Sequence, residues 1–558
     1  MAPESEESIS RPRTGRLRWP RQRTGSCWRG GGGSEGTPHR RRPLGRCLPA
    51  VLSAWLGLSA ALAGAADEAA EELPPIPEVA LEEVPCPFPA PPGERPVCLL
   101  AELPMDHGEV RADGSLAPDA RTVRVHLTLL PNLSSSADPN PIVVLSGGPG
   151  QAGSDALDSF GGAVELRRNR GILLVDQRGT GLSEPALTCP EAAETELDRN
   201  RFNDPDFDPE EDLLERVSAC HDRWIAEGVD FARFGTRSAA LDLRAIRRAL
   251  DLSEWNLLGT SYGARLALDL LRVDPVGVRA AVLNSPLVLA PATTPELLAE
   301  RPRIFAQLFE ECATDPDCAE AHGDLEDKFR EIAEHFREET VQLHFRDPQS
   351  GQRVRREVGW PDVVENLYGQ LAFSPSAVQV PRRIAELHAL TEGRLSLADE
   401  EITALFTSNL DDLSAGLALG QHLSVKCRED LPRDEPAALQ AVVDEHPLYF
   451  PKGDGMKDYR RICPGWEAGE APARFLRPAT TDRPVLILSG TADTLVPHAV
   501  ARRLAERLPH SQFVAFPGIG HDVHGTLLCA QSIAAHFFDH PHQPVDTSCT
   551  ENFPPRLP

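Results

Sequence analysis

The sequence predicts an α/β protein: a doubly wound, mostly parallel sheet interrupted by a mainly helical insertion. Three observations carry this. Short continuous apolar runs at 142–145, 172–175, 257–258 and 485–488 have the length and Val/Ile/Leu content of strands buried on both faces. Between such runs lie helical stripes: 238–250 places Leu241, Ala245, Ile246 and Ala249 on one face, and 264–271 does so with Leu266, Leu270 and Leu271. Strands alternating with helices wind a parallel sheet. The third observation is a break, because the alternation stops after Pro286 and resumes near Pro484.

Taken in order, residues 1–65 read as an Arg-rich leader and signal peptide. Arg40, Arg41, Arg42 and Arg46 precede an apolar run at 48–63, and the small residues Ala63-Gly64-Ala65 place cleavage near Ala65. The run is short for a bilayer span and is followed by acidic residues, so a retained membrane anchor is the lesser alternative and no stable span is expected after cleavage. Residues 84–290 form the first part of the α/β core, with Val123, Val125, Leu127 and Leu129 alternating as in a half-exposed strand. Residues 291–480 read as a helical insert with one hairpin, its strands at 341–345 and 353–358 and its helices at 295–311, 325–338, 360–371 and 400–417. An insert at that point in a parallel sheet sits over the strand C-termini, where ligands bind, and is expected to act as a cap. Residues 481–546 complete the core.

Charge and cysteine content narrow the function classes. The chain of 558 residues carries −27, and residues 1–65 hold eleven Arg against four Glu, a surplus of +7 that leaves the remainder at −34. So acidic a body does not suit phosphate-backbone binding, and no nucleic-acid partner is expected. Ten of the twelve cysteines lie beyond the leader, in neighbouring couples: Cys86/Cys98, Cys189/Cys220, Cys312/Cys318, Cys427/Cys463 and Cys529/Cys549. An even count behind a signal peptide reads as disulfides in an exported protein, with connectivity open and buried free thiols as the alternative. No CxxC or Cys/His spacing offers a metal site, and no cofactor is expected.

The chemistry concentrates at Gly259-Thr260-Ser261-Tyr262-Gly263, between a strand at 255–258 and a helix. A serine exposed on so sharp a strand-to-helix turn needs small neighbours two residues away, and the helix behind it aims N–H groups at a developing oxyanion. A nucleophilic serine needs a base and an orienting acid, which follow it in the chain in this arrangement. Asp493, after the strand at 485–489, and His521, after the strand at 513–516, stand at the right places; His524 and Asp522 compete with them. Upstream, Ser146-Gly147-Gly148-Pro149-Gly150 follows another buried strand, and the N–H groups of Gly148 and Tyr262 are the candidate oxyanion donors.

The set Gly147-Gly148-Pro149-Gly150, Asp176-Gln177-Arg178-Gly179-Thr180-Gly181-Leu182-Ser183, Gly259-Thr260-Ser261-Tyr262-Gly263, Asp493 and Gly520-His521 resembles the proline iminopeptidase and tripeptidyl aminopeptidase family of α/β hydrolases. The likeness runs from about Val84 to about Phe538, and Cys427, Cys463-Pro464-Gly465-Trp466 and the cysteine after His521 resemble the secreted tripeptidyl branch. Ser146 stands where proline iminopeptidases usually have His, and Asp522 where the tripeptidyl branch commonly has Gly. The resemblance implies the α/β-hydrolase fold and release of residues from a free peptide N-terminus, often with a proline preference. It further implies that acidic cap residues hold the substrate ammonium, for which Asp362 and Glu365 are candidates. The resulting expectation is an exported, periplasmic or secreted, serine aminopeptidase acting on short peptides. An esterase or lipase-like hydrolase of small-molecule esters or amides is the alternative, since the triad does not choose the acyl group. The intact serine, acid and histidine argue against a third reading, a catalytically inactive binding protein.

Overall fold

A computed structural model of the protein describes residues 72–552 apart from 91–92, 135–137, 193–208, 289–292, 347–352, 374–376, 395–415, 452, 454–455 and 477–479. The expected leader, its cleavage point and nearly all of the helix expected at 400–417 lie outside the described residues. The sheet and its helices belong to the compact unit Pro75–Pro558.

Nine strands form one sheet in the order β1-β2-β3-β5-β4-β6-β7-β10-β11. They are β1 (Ala80–Val84), β2 (Val97–Pro104), β3 (Thr122–Leu130), β4 (Ile142–Leu145), β5 (Ile172–Asp176), β6 (Trp255–Thr260), β7 (Val278–Asn284), β10 (Val485–Gly490) and β11 (Ser511–Phe516). The pairs from β5 through β11 are parallel, whereas β1, β2 and β3 extend one edge antiparallel. The sheet is thus mostly parallel, and the apolar runs at 142–145 and 485–488 are buried along their whole length, as strands covered on both faces must be. Strands β1, β2 and β7 go beyond the sequence reading; β1, with the sequence Ala-Leu-Glu-Glu-Val at the edge, has the half-exposed polar character that blurs a strand signal.

Helices α1 (Pro209–Ala226) and α2 (Thr236–Ala249) follow the first five strands, and α3 (Tyr262–Val273) follows β6. After β7 the sheet pauses, and the chain builds α4 (Thr293–Thr314), α5 (Pro316–His322), α6 (Leu325–Glu338), the hairpin β8 (Val341–Arg346) and β9 (Arg353–Val358), α7 (Trp360–Ala372) and α8 (Val380–Thr391). Next come α9 (Leu419–Val425), α10 (Pro436–Glu445) and α11 (Lys457–Trp466) before β10, α12 (His498–Arg507), β11 and α13 (Leu528–Asp539). The hairpin and the helices expected at 295–311, 325–338 and 360–371 all form within a few residues of those bounds.

This inserted stretch has its own apolar centre. Phe329 packs against Phe305 at 5.0 Å and edge-on against Trp360 at 5.1 Å, and all three rings are fully buried. Burying each such ring contributes about 1.5–3 kcal/mol to holding these helices against one another. All five neighbouring cysteine couples are joined, Cys86–Cys98, Cys189–Cys220, Cys312–Cys318, Cys427–Cys463 and Cys529–Cys549, with S–S distances from 1.96 to 2.10 Å. Among the described residues no helix is long and apolar enough to cross a membrane.

Candidate active site

Ser261 sits between β6 and α3 with φ 57° and ψ −119°, a backbone region that costs a non-glycine residue roughly 1–3 kcal/mol and persists only where the surroundings enforce it. The enforcement is visible. Its N–H donates to Asn284 O (2.9 Å), and its carbonyl accepts from Ala264 N (3.0 Å) and Leu287 N (3.2 Å). The flanking glycines are sterically obligatory: a Cβ on Gly263 would lie 1.9 Å from Leu145 O, and one on Gly259 would lie 2.5 Å from Gly263 O. Tyr262 opens α3, where its N–H has no intrahelical partner. Its side chain is buried, shares a hydrogen bond with Thr236 Oγ1 (2.9 Å), and is held protonated far above the ordinary tyrosine range by burial and the nearby Glu429.

Asp493 and His521 meet as an acid and base should. Asp493 is 0% exposed; its Oδ1 accepts from the N–H groups of Leu495 (3.0 Å) and Val496 (2.8 Å), which fix the carboxylate. His521 Nδ1 lies 3.0 and 2.9 Å from the two carboxylate oxygens, so Nδ1 carries the proton and Nε2 is left free to accept one. Burial pulls the imidazole toward its neutral form, but the charge and hydrogen bond of Asp493 outweigh it and raise the pKa above the usual 6.5. The inserted stretch grips the same loop: His521 N–H donates to Ala372 O at the end of α7 (2.7 Å), Phe373 approaches the imidazole at 6.2 Å, and Tyr368 Oη donates to Thr494 O (2.6 Å).

One buried side chain joins the two halves of the site. Asn284, at the end of β7 between β6 and β10, donates from Nδ2 to Thr260 Oγ1 (3.1 Å) and to Asp522 Oδ1 (2.5 Å), and accepts the N–H of His524 at Oδ1 (3.2 Å). It therefore ties the residue before Ser261 to the residue after His521. The next residue, Ser285, accepts the Asp522 N–H at Oγ (3.1 Å). Neither residue figures in the sequence reading, although an Asn closing an apolar strand is a signal that could have found the first.

The loop at 147–150 borders the serine, since a Cβ on Gly147 would lie 3.1 Å from Ser261 Cβ. Gly148 and Gly150 take φ of +97° and +109°, which glycine adopts without penalty. The Asp176 segment secures this region. Asp176 accepts from Ser154 N (2.7 Å), Ser154 Oγ (2.9 Å) and Leu182 N (2.8 Å), while Gln177 Nε2 donates to Ser146 O (3.0 Å). Arg178 pairs with the buried Asp242 and donates to Pro104 O and Met105 O. Ser146, the departure from the family pattern, donates from Oγ to Ala152 O across the same loop (3.1 Å). From the insert, His422 Nδ1 reaches Pro149 O (2.9 Å), a contact across 273 residues that no local pattern announces.

The competing residues have other employment. His524 stacks on Phe160 at 6.0 Å, and burial lowers its pKa. Asp522 stands at φ 59°, a left-handed position that suits glycine and that aspartate tolerates, and caps the short helix after it through Gly525 N. Of the candidate ammonium ligands, Asp362 Oδ2 accepts the Gly359 N–H (3.0 Å), and Glu365 forms a forked ion pair with Arg301 at 2.6 and 3.0 Å.

Comparison with known proteins agrees with this fold. A family model described as alpha/beta hydrolase fold matches residues 140–345, and one described as TAP-like protein matches residues 452–549. The chain is 29% identical to the serine protease Hip1 of Mycobacterium tuberculosis over 196 residues, 34% of this chain and 35% of that protein. It is 30% identical to the proline iminopeptidase of Heyndrickxia coagulans over 151 residues, 27% of this chain and 36% of that protein. The matched segments thus span about a third of the length of these relatives. The chain belongs to the α/β-hydrolase family, and its segment 452–549 is similar to the TAP-like proteins.

Proposed function

We propose that the protein is an exported serine hydrolase that releases residues or short peptides from free N-termini through an acyl-enzyme. Ser261 Oγ attacks the substrate carbonyl while its proton passes to His521 Nε2; the imidazolium, stabilised by Asp493, then protonates the leaving amine, and water activated by the same imidazole frees the acyl group. The N–H groups of Gly148 and Tyr262 receive the oxyanion. The observation that carries this reading is the Asn284 side chain, which couples the strained Ser261 turn to the loop bearing His521, whose imidazole pairs with Asp493. Residues 84–290 and 481–546 act as the catalytic core and 291–480 as a cap over it. The five disulfides support an oxidising compartment.

The test is a three-way assay on an unblocked aminoacyl amide, its N-acetyl counterpart and a short-chain ester, with Ser261→Ala alongside. An acid site left facing no ammonium loses a few kcal/mol, so the free amine is expected to be preferred about a hundredfold or more in kcat/KM. Comparable rates on free and acetylated amides, with ester hydrolysis dominant, would instead make the protein an esterase on the same triad. Undiminished fluorophosphonate labelling of Ser261→Ala would remove the nucleophile assignment.

A further inference from the structure

The insert returns toward the sheet by way of the loop at 147–150. Ala418 N–H donates to Gly150 O (3.0 Å), and one turn later His422 Nδ1 reaches Pro149 O. A carbonyl only accepts, so Nδ1 carries the ring proton and Nε2 must be an acceptor. Tyr459 Oη supplies the matching donor at 2.8 Å. Burial, aided by the Lys426 ammonium, pushes the imidazole down to about 4, so this ring remains neutral where a histidine base works and its two hydrogen bonds stay fixed in direction.

The seat of His422 is itself secured. Tyr459 stands on α11, and Cys463 of α11 is bonded to Cys427, in the single π-helical turn Lys426–Asp430 that continues α9. Trp466 Nε1 adds a bond to Ser424 Oγ (3.2 Å). The π turn sends two charges inward: Lys426 meets Asp430 at 3.0 Å, and Asp430 meets Arg265 at 2.8 Å. Arg265 lies in the first turn of α3, directly behind Ser261. One end of this buried array therefore holds the loop bearing the Gly148 N–H, and the other holds the helix bearing the Tyr262 N–H.

We propose that His422 is a positioning residue for the reaction. Its neutral ring clamps the Pro149 carbonyl and so sets the Gly148 N–H against the Tyr262 N–H in the oxyanion hole. The proposal rests on the serine hydrolase reading above. A loop with glycines at 147, 148 and 150 has little stiffness of its own, and a donor displaced by a fraction of an ångström serves the developing oxyanion less than the ground-state carbonyl. The effect belongs in kcat more than in KM.

The experiment compares His422→Leu, His422→Asn and Tyr459→Phe with the intact chain and with Ser261→Ala, measuring kcat and KM on p-nitrophenyl acetate, the rate of fluorophosphonate labelling, and Tm. His422→Leu is expected to lose about 10–100-fold in kcat, less than outright removal of an oxyanion donor, with KM within about threefold. In His422→Asn the amide nitrogen takes the place of Nδ1, so at least half of that loss on a logarithmic scale returns. Tyr459→Phe loses about 3–10-fold, and labelling slows in step with kcat in all three. A wild-type kcat in folded His422→Leu, or an Asn variant as impaired as the Leu variant, overturns the proposal. If the Leu variant fails to fold, wild-type kcat in both other variants overturns it. Full activity in Ser261→Ala overturns instead the reading beneath it.

Discussion

On the sheet side of the site, Ser261, Asp493 and His521 hang from the ends of β6, β10 and β11. What fixes them there is local backbone and core: a positive φ, two glycines without room for a Cβ, two N–H groups on the carboxylate and the amide of Asn284. On the insert side, the loop at 147–150 and the His521 backbone are held from a distance: His521 by Ala372, at the end of a helix packed in the insert's own aromatic centre, and the loop by Ala418 and His422, beside and on a helix continued by the Cys427–Cys463 staple. The difference separates two tasks. In the hydrolase proposed above, the sheet ends, which tolerate almost no change in geometry, carry the bond-making, and the helical insert, which can change its contacts without dismantling those groups, decides what reaches them.

The largest effects should therefore arise at the sheet ends. His521→Ala is expected to lose about 10⁴-fold or more in kcat, whereas His524→Ala, which removes a buried ring stacked on Phe160, should cost stability and leave kcat within a few-fold. The reverse result would move the base to His524. Asp493→Asn should lower kcat about 10⁴-fold by turning the imidazole to the wrong tautomer. Its pH profile sharpens the test. Activity needs neutral His521, so kcat/KM falls as pH drops through the His521 pKa. With Asp493 in place that pKa is raised, putting the midpoint of the acid limb above 6.5; with the charge gone, burial is opposed only by the lesser pull of Asp522, and the midpoint should move down. An unmoved limb would mean that a different group titrates.

Disulfide removal comes next and divides the two regions. Closing the 36-residue separation of Cys427–Cys463 is worth about 4 kcal/mol in the chain-entropy account, against about 2 kcal/mol for the 6 residues of Cys312–Cys318. Paired replacements by Ser, followed by denaturant unfolding, should reproduce that order. Kinetics add a distinction: losing Cys427–Cys463 should lower kcat as well, because that bond seats Tyr459 and His422, while losing Cys312–Cys318 should leave kcat unchanged. Equal kcat in both variants would mean that the insert holds the site without that staple.

Legibility in the sequence divides along the same line. The serine turn is legible because its requirements are local, a strand, two glycines and a helix, and the proposed acid and base because they follow strands in a fixed chain order. The cysteine couples could be read because each partner is the next cysteine along the chain. His422 could not, since its partner Pro149 is brought to it only by the packed insert, and nothing around residue 422 differs from an ordinary helix. Asp362 and Glu365 show the converse: acids in the expected segment whose contacts, a helix cap and Arg301, only the fold reveals.

The smallest effect expected sharpens the comparison by contrasting two glycines. Gly263→Ala drives a methyl group to 1.9 Å from the Leu145 carbonyl at the centre of the sheet, where neither strand nor helix can retreat, and should leave little folded enzyme. Gly465, by contrast, lies exposed near the end of α11, and a Cβ there meets nothing within 4 Å. Alanine is favoured over glycine in a helix interior by up to about 1 kcal/mol, but Gly465 precedes the last helical residue and follows Pro464, which already interrupts the bonding of that turn. Most of the preference is therefore unavailable, and Gly465→Ala should raise stability by only a few tenths of a kcal/mol with kcat unchanged. A loss of activity in Gly465→Ala would show that the end of α11, close to the Cys463 staple, transmits to the site even changes that touch nothing, and the contrast between a rigid sheet and a tolerant insert would have to be given up for this helix.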